Sequence, residues 1–413
     1  MDGLRCVTVI LTAACNLRCV YCFQDRKQPR HMDWETLRRA IDLLLGSRRR
    51  DLELWFSGGE PLLEFPLLRR AVGYAEATCP PAKRIRFGLS TNGLLLDDDR
   101  ADFLAVHRFS IQVSFDGLPP AQALRGPGSF GAIDARLGRL RRRHPTSFTD
   151  GLDVAITVTG ANLAVLADSV EYFLAKGVRT LKIAPRVTPD PDWGDQAFVE
   201  LGRQFGRVFE ISLRFYRRTG RVPVVLFRQT GEAPERRHVS RWLCGLASGQ
   251  ALTVDVDGRV AGCVMLVESY QTFPTRLLRE RVEALRLGDL RDPDLPGRLA
   301  AFPAAVKATQ LFDGRFRKHS GFGRCRSCRY CRDCSICPVS IGRIPGNTDL
   351  DRVPDVLCAF NRVVLGYRSQ FPCQASTLDV LTGHDQRVGA RYARFIPRAN
   401  AEAWRRHRLG TAE

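Results

Sequence analysis

Cys15, Cys19 and Cys22 stand in Leu11-Thr-Ala-Ala-Cys-Asn-Leu-Arg-Cys-Val-Tyr-Cys22, with three residues between the first pair and two between the second. Three thiolates on one tight loop can hold three irons of a 4Fe–4S cluster. No fourth cysteine follows nearby, so one iron is left open to a small ligand. A fully ligated cluster only relays electrons, whereas an open iron can bind a co-substrate. Cysteine triplets also occur in zinc knuckles, but structural zinc takes four closed ligands.

The triplet follows an apolar run, residues 6–11, that reads as a first strand. Further apolar runs at 51–57, 84–89, 109–115, 152–159 and 179–184 alternate with helix-length segments at 33–46, 64–78, 97–106, 129–143 and 162–176. Such alternation predicts a parallel sheet built from βαβ units. Polar candidates fall at the strand ends where parallel barrels place their chemistry. They are Gly58-Gly59-Glu60-Pro61 after the second strand, Ser90 and Asn92 after the third, and Ser114, Asp116 and Gly117 after the fourth.

The triplet, with Tyr21 directly before its last cysteine, resembles the signature of the radical S-adenosylmethionine (SAM) enzymes, and the other segments follow in that family's order. The resemblance implies a partial (β/α)6 TIM-like barrel over residues 1–189. It also implies a cluster on Cys15, Cys19 and Cys22 whose free iron is chelated by SAM. Gly58, Gly59 and Glu60 would meet the amino group of SAM. Ser90, Asn92, Ser114 and Asp116 would meet its ribose and carboxylate, and Arg125 is placed like the family arginine that reaches that carboxylate.

Farther on, Cys244 and Cys263 flank a predicted hairpin turning at Asp257-Gly258. A dense knot follows, Cys325, Cys328, Cys331, Cys334 and Cys337, with Cys358 beyond it. This half resembles the SPASM domain, a small cysteine-rich extension with a β-hairpin that holds two auxiliary 4Fe–4S clusters. Leu287-Gly-Asp-Leu290 fits it as well. The family pattern implies Cys244, Cys263 and Cys337 on the first auxiliary cluster and Cys325, Cys328, Cys334 and Cys358 on the second. Cys331 is an extra, and only two residues part Cys334 from Cys337. The partition among Cys331, Cys334 and Cys337 therefore stays open, as does a two-zinc knot. Cys6, Cys79 and Cys373 match no motif and read as small buried apolar residues.

The expected domains are the barrel (1–189), a bridging region (190–243) with a helix at 196–218 and a strand-like 222–227, the SPASM domain (244–360) and a tail (361–413). Neither a signal peptide nor a run of ~20 apolar residues is visible. Clustered cysteines then point to metal in the cytoplasm rather than to disulfides. The net charge is +19, yet only six of the 63 basic residues are lysine and the arginines spread along the whole chain. Nucleic acid and membrane are not expected as partners, and an acidic leader peptide fits the charge without being shown by it.

Members with SPASM domains mostly modify peptides. The resemblance therefore implies oxidative change of a ribosomally made peptide, a crosslink, an epimerisation or similar, with flavodoxin or ferredoxin as electron donor. The alternatives are a small-molecule oxidoreductase or decarboxylase, a formylglycine-type sulfatase maturase, and a non-enzymatic electron carrier. The first strand starts near residue 6, so an N-terminal leader-binding domain is not expected, and either a separate protein presents the peptide or the substrate needs no leader. No general acid or base can be picked from the sequence.

Overall fold

The computed structural model describes residues 3–188, 190, 192–228, 249–269, 272, 273, 276–283, 285–308, 318–331, 333, 334, 336, 337, 341, 349 and 351–371. Cys244, Cys373 and the basic tail lie outside them.

Six strands, β1 (Cys6–Ile10), β2 (Asp51–Ser57), β3 (Arg84–Thr91), β4 (Ser110–Ser114), β5 (Leu152–Val158) and β6 (Leu181–Pro185), pair in sequence order and are all parallel. Helices α1 (Trp34–Leu45), α2 (Phe65–Thr78), α3 (Asp98–Val106), α4 (Pro119–Gln122), α5 (Ser129–Arg143), α6 (Pro145–Asp150) and α7 (Leu166–Ala175) fall in the crossovers. Helix starts follow the sequence. Asp33 caps α1 by accepting from Thr36 N at 2.7 Å, and Asp97 caps α3 by accepting from Arg100 N at 3.0 Å. Arg141, Arg142 and Arg143 close α5, on the cation-favouring end of the dipole.

Parallel strands covered by helices on both faces read as continuous apolar runs. Here β5 instead alternates. Leu152, Val154, Ile156 and Val158 are buried in the main core, while Asp153, Ala155 and Thr157 between them are only partly covered. One sheet face packs against helices and the other lines an open lumen. This is a partial barrel, curled but not closed.

Three more strands, β7 (Ala251–Val254), β8 (Arg259–Ala261) and β9 (Arg286–Asp289), complete a nine-stranded sheet. The expected hairpin is β7–β8, turning through Gly258 at φ +91°, a conformation that costs glycine least. It does not stand apart from the barrel, because β7 pairs in parallel with β1, Cys6 facing Ala251 and Val9 facing Val254.

The bridging helix α8 (Asp195–Thr219) packs against α7 and α11 (Asp355–Arg368), with α9 (Arg276–Glu283) and α10 (Leu295–Ala308) between them in sequence. Residues 222–227 do not form the expected strand. Only Val224 bridges to Leu181, and Val225–Phe227 turns as a 3-10 helix. Pro223 has no N–H to continue a ladder, so it only accepts, from Leu181 N at 2.8 Å. Cys6 and Cys79, expected to be buried, are each only partly covered. Among the described residues no helix is long and apolar enough to cross a membrane.

Candidate functional site

The cysteine loop leaves β1 with its backbone still paired to the end of β2. Leu11 N donates to Ser57 O at 3.0 Å, Gly59 N to Thr12 O at 2.7 Å and Glu60 N to Ala14 O at 2.9 Å. The two glycines let these backbones touch. A Cβ on Gly59 would lie 2.0 Å from Ala14 O, and one on Gly58 2.5 Å from Thr12 O. Both obstacles are backbone atoms, and Ala14 cannot retreat without carrying Cys15 along. Gly59→Ala is therefore expected to lower iron retained after reconstitution by the share of one cluster. Metal analysis of the folded variant checks this, and wild-type iron content would refute it.

The loop is held from the ends of β3 and β6 and from the segment after α4. Val20 N donates to Leu124 O at 2.9 Å, and Arg186, just after β6, donates to Val20 O at 3.4 Å. Thr188 Oγ1 donates to Tyr21 O at 3.3 Å, and Lys27 Nζ to Leu17 O at 2.7 Å. Asn92 Nδ2, after β3, donates to Asn16 Oδ1 at 2.7 Å and lies 3.9 Å from Cys15 Sγ. Arg186 and Thr188 were not foreseen from sequence, since a lone arginine after a strand carries no motif.

Tyr21, Asp116 and Arg125 come together from three segments. The Tyr21 hydroxyl donates to Asp116, Arg125 Nη2 donates to Asp116 Oδ1 at 2.8 Å, and the guanidinium lies 5.3 Å from the Tyr21 ring centroid. Thr157 N donates to Asp116 Oδ1 at 2.8 Å. The Asp116 side chain is fully buried and that of Arg125 is 9% exposed. Burial works against the Arg125 charge, but Asp116, Tyr21 and Cys19 together hold it above the ordinary arginine value. Burial, with help from Asp116, pushes the Tyr21 phenol up and keeps it a donor. Arg125 Nε is buried with no partner among the described residues.

Glu60 is placed differently from a ligand contact. It is fully buried, and its carboxyl accepts from Asn92 N at 2.7 Å, Thr91 Oγ1 at 2.7 Å and Leu62 N at 3.1 Å. It ties the end of β2 to the end of β3. Ser90 Oγ accepts from Trp55 Nε1 at 2.8 Å, and Ser114 is half-buried. Burial outweighs the three donors and raises the Glu60 carboxyl from 4.5 to about 7. Between those values the unfolded chain releases the proton and the folded one keeps it, so rising pH favours unfolding. Wild type should therefore lose on the order of 3 kcal/mol relative to Glu60→Gln as pH rises across that window. Urea titrations of both at its two ends check the sign, and a constant difference would refute it.

Burial raises the thiols of Cys15 and Cys19, with Arg125 opposing this at Cys19. Both would be protonated as free thiols, so metal must displace the protons. Among the described residues no three Cys, His, Asp or Glu side chains close on a single ion. A cluster takes one thiolate per iron and spaces its cysteines more widely than one zinc does. The donor set, three sulfurs with no histidine or carboxylate, suits iron–sulfur. The unpartnered buried Nε of Arg125 is a donor left for a ligand carboxylate.

In the second half, Cys325, Cys328, Cys331, Cys334 and Cys358 line one small cavity with Tyr330, Ile336 and Val353. Cys337 is exposed and is not among its lining residues. Burial, then the neighbouring sulfurs, pushes Cys334 up to about 12 and Cys325 to about 11. Ser320 Oγ lies 3.2 Å from Cys358 Sγ, a contact of the kind that tunes a cluster's potential. Lys318, 5% exposed beside this knot, is pulled below its usual value by burial. Cys263 sits apart, on the barrel side after β8, with its sulfur accepting from Met265 N at 3.3 Å.

Residues 9–170 match the family model described as the radical SAM superfamily. An uncharacterized protein of Methanocaldococcus jannaschii is 30% identical over 183 residues, 44% of this chain and 62% of that protein. Mycofactocin maturase MftC of Mycolicibacterium smegmatis is 30% identical over 191 residues, 44% of this chain and 45% of the maturase. The matched part thus spans only about half the length of these curated relatives. Among solved structures, native anSMEcpe with bound AdoMet and Kp18Cys peptide superposes with a TM-score of 0.66 at 18% identity, covering 88% of this chain and 96% of that one. At that identity the likeness is one of fold.

Proposed function

Because residues 9–170 form a radical SAM domain, we propose that this protein cleaves SAM reductively and modifies a peptide through a hydrogen abstraction. The observation that carries the reading is the cysteine loop, clamped by the ends of β2, β3 and β6 and the segment after α4, beside the buried Tyr21–Asp116–Arg125 group. Cys15, Cys19 and Cys22 would hold the cluster. When bound, the cluster supplies the electron that breaks a carbon–sulfur bond of SAM, yielding a 5′-deoxyadenosyl radical.

The chain's own residues bind and orient. Arg125 Nε is placed to take the methionyl carboxylate, while Asp116 neutralises the guanidinium and fixes its plane. The Tyr21 ring lies over the same cation, and Leu17 and Tyr21 are the buried side chains that anchor the loop. Glu60 holds the ends of β2 and β3 in register rather than meeting the co-substrate. Asn92 Nδ2 sits near Cys15 Sγ and would damp its charge. No side chain need act as base, since hydrogen abstraction by a carbon radical transfers no proton to the protein.

Two comparisons support a peptide substrate: a relative named as a maturase, and a like fold holding AdoMet together with a peptide. The sulfur knot fits an auxiliary cluster on Cys325, Cys328, Cys334 and Cys358, which would carry the electron an oxidative reaction must release. Cys331 lines the same cavity, which favours this centre over a first auxiliary cluster on Cys263 and Cys244. Flavodoxin or ferredoxin in the cytoplasm is the matching reductant. Anaerobic incubation of the reduced enzyme with short peptides encoded beside its gene tests the reading. A mass change dependent on SAM supports it, and SAM cleavage with conversion only of a small metabolite overturns the peptide assignment.

A further inference from the structure

Arg26, Arg30, Arg259, Arg279 and Arg286 converge on a cleft of about 480 Å³ between the segment after the cysteine loop and the strands of the hairpin. Ser269, Thr272 and Phe273 supply hydroxyls and an apolar wall, and Glu268 is the only acid lining it among the described residues. Some of these cations are paired with acids. Arg30 meets Asp257 at 3.4 Å, and Arg259 meets Glu268 at 3.1 Å and Asp257 at 3.5 Å. Arg286 meets Glu268 and Glu283. Arg279 donates to Phe273 O at 3.1 Å, and Arg26 has no acid partner among the described residues. Asp25 holds Thr272 and Asp255 holds Ser269 from behind the wall, so the excess lies in the lining itself, five guanidiniums against Glu268.

The positive excess is felt inside the cleft. Burial, then the nearby Arg259, pulls Arg286 below the ordinary arginine value even with two acids beside it. Its Nε is buried and unpartnered among the described residues. Arg26 and Arg279 meet no acid among the described residues, and an incoming carboxylate can take their donors.

We propose that this cleft is a docking site for the acidic segment of a peptide substrate. The assignment rests on the peptide reading above and deepens it. The cleft is joined to the reactive loop. Asp25 accepts from Thr272 N at 3.1 Å and from its hydroxyl, and Gln24 Nε2 donates to Gly58 O at 2.7 Å. Arg26 follows Cys22 by four peptide steps, at most about 14 Å of chain. A docked acidic stretch and the residue to be modified can therefore belong to one short peptide. A walled cleft with an apolar side suits an extended peptide better than a nucleic-acid backbone, which prefers a long open basic track. The chain would then grip its own substrate without a separate presenting protein.

The test uses the full chain and fluorescence anisotropy of a fluorescein-labelled hexaglutamate peptide, with hexalysine and dodecathymidylate as competitors. The wild type should bind hexaglutamate at low ionic strength and lose it as salt rises. Arg26→Ala with Arg279→Ala should weaken binding about tenfold, and Arg26→Lys with Arg279→Lys should recover most of it. If the double alanine variant misfolds by circular dichroism, Arg26→Ala alone decides. Undiminished binding by the alanine variants overturns the proposal. So does the absence of binding by wild type, or tighter, arginine-dependent binding of dodecathymidylate. The readout needs neither SAM nor cluster. Arginine-dependent binding without SAM cleavage would leave the cleft standing and sink the radical SAM reading, and the reverse result would sink only the cleft.

Discussion

Cys19→Ala is expected to remove reductive SAM cleavage by more than about a thousandfold, because Cys15 and Cys22 alone leave two irons of the cluster without a thiolate. The loop around Cys19 is fixed by Cys22 N donating to Cys19 O at 3.1 Å and by Val20 N and O held from two other segments. The nearby Asn92 and Arg125 are donors, not ligands. The variant should still fold, since the ladder from Leu11 to Glu60 does not involve the sulfur. Anaerobic reconstitution followed by chromatography of 5′-deoxyadenosine measures the loss. Iron in the variant should fall by one cluster's share, the knot around Cys325 to Cys358 keeping its own. Residual cleavage near the wild-type rate would show that the electron enters SAM elsewhere.

Asp116→Ala should cost about 3–5 kcal/mol of stability, the toll of leaving a buried cation without its partner. Arg125 is 9% exposed, and its Nη2 would keep only Thr157 Oγ1 at 3.2 Å and Ala155 O at 3.4 Å. Thr157 N and the Tyr21 hydroxyl would lose their acceptor as well. Tyr21→Phe removes one of these bonds and should cost about 1 kcal/mol. Asp116→Asn keeps acceptor capacity but not charge, and should fall between. Urea unfolding of the three variants measures the order. Equal costs for Asp116→Ala and Tyr21→Phe would mean that Arg125 is not held by this charge.

The barrel was legible because its signals are local. Six apolar runs and the segments between them carry strand and helix periodicity, and Gly58, Gly59 and the cysteines carry their meaning in spacing. Other features depend on contacts distant in sequence. Nothing in Ala251–Val254 tells that it will pair in parallel with Cys6–Val9 and extend the barrel's sheet. Glu60 reads as a strand-end acid open to a ligand, yet Thr91 and Asn92 fold over and saturate it. Pro223 could have warned against a strand at 222–227, since it lacks the N–H a ladder needs. The arginine cleft is invisible in a chain whose arginines are spread throughout, because Arg26 and Arg286 meet only once β9 reaches the sheet edge.

Reductive SAM cleavage by this chain requires an iron beside Cys15, Cys19 and Cys22 with an open coordination position. Electron–nuclear double resonance of the reduced, reconstituted protein with SAM labelled by oxygen-17 in its carboxylate reads that position directly. A hyperfine coupling to the label, present in wild type and lost in Cys19→Ala, is the predicted result. A reduced cluster indifferent to labelled SAM, or tetrahedral zinc at the triplet, would contradict it.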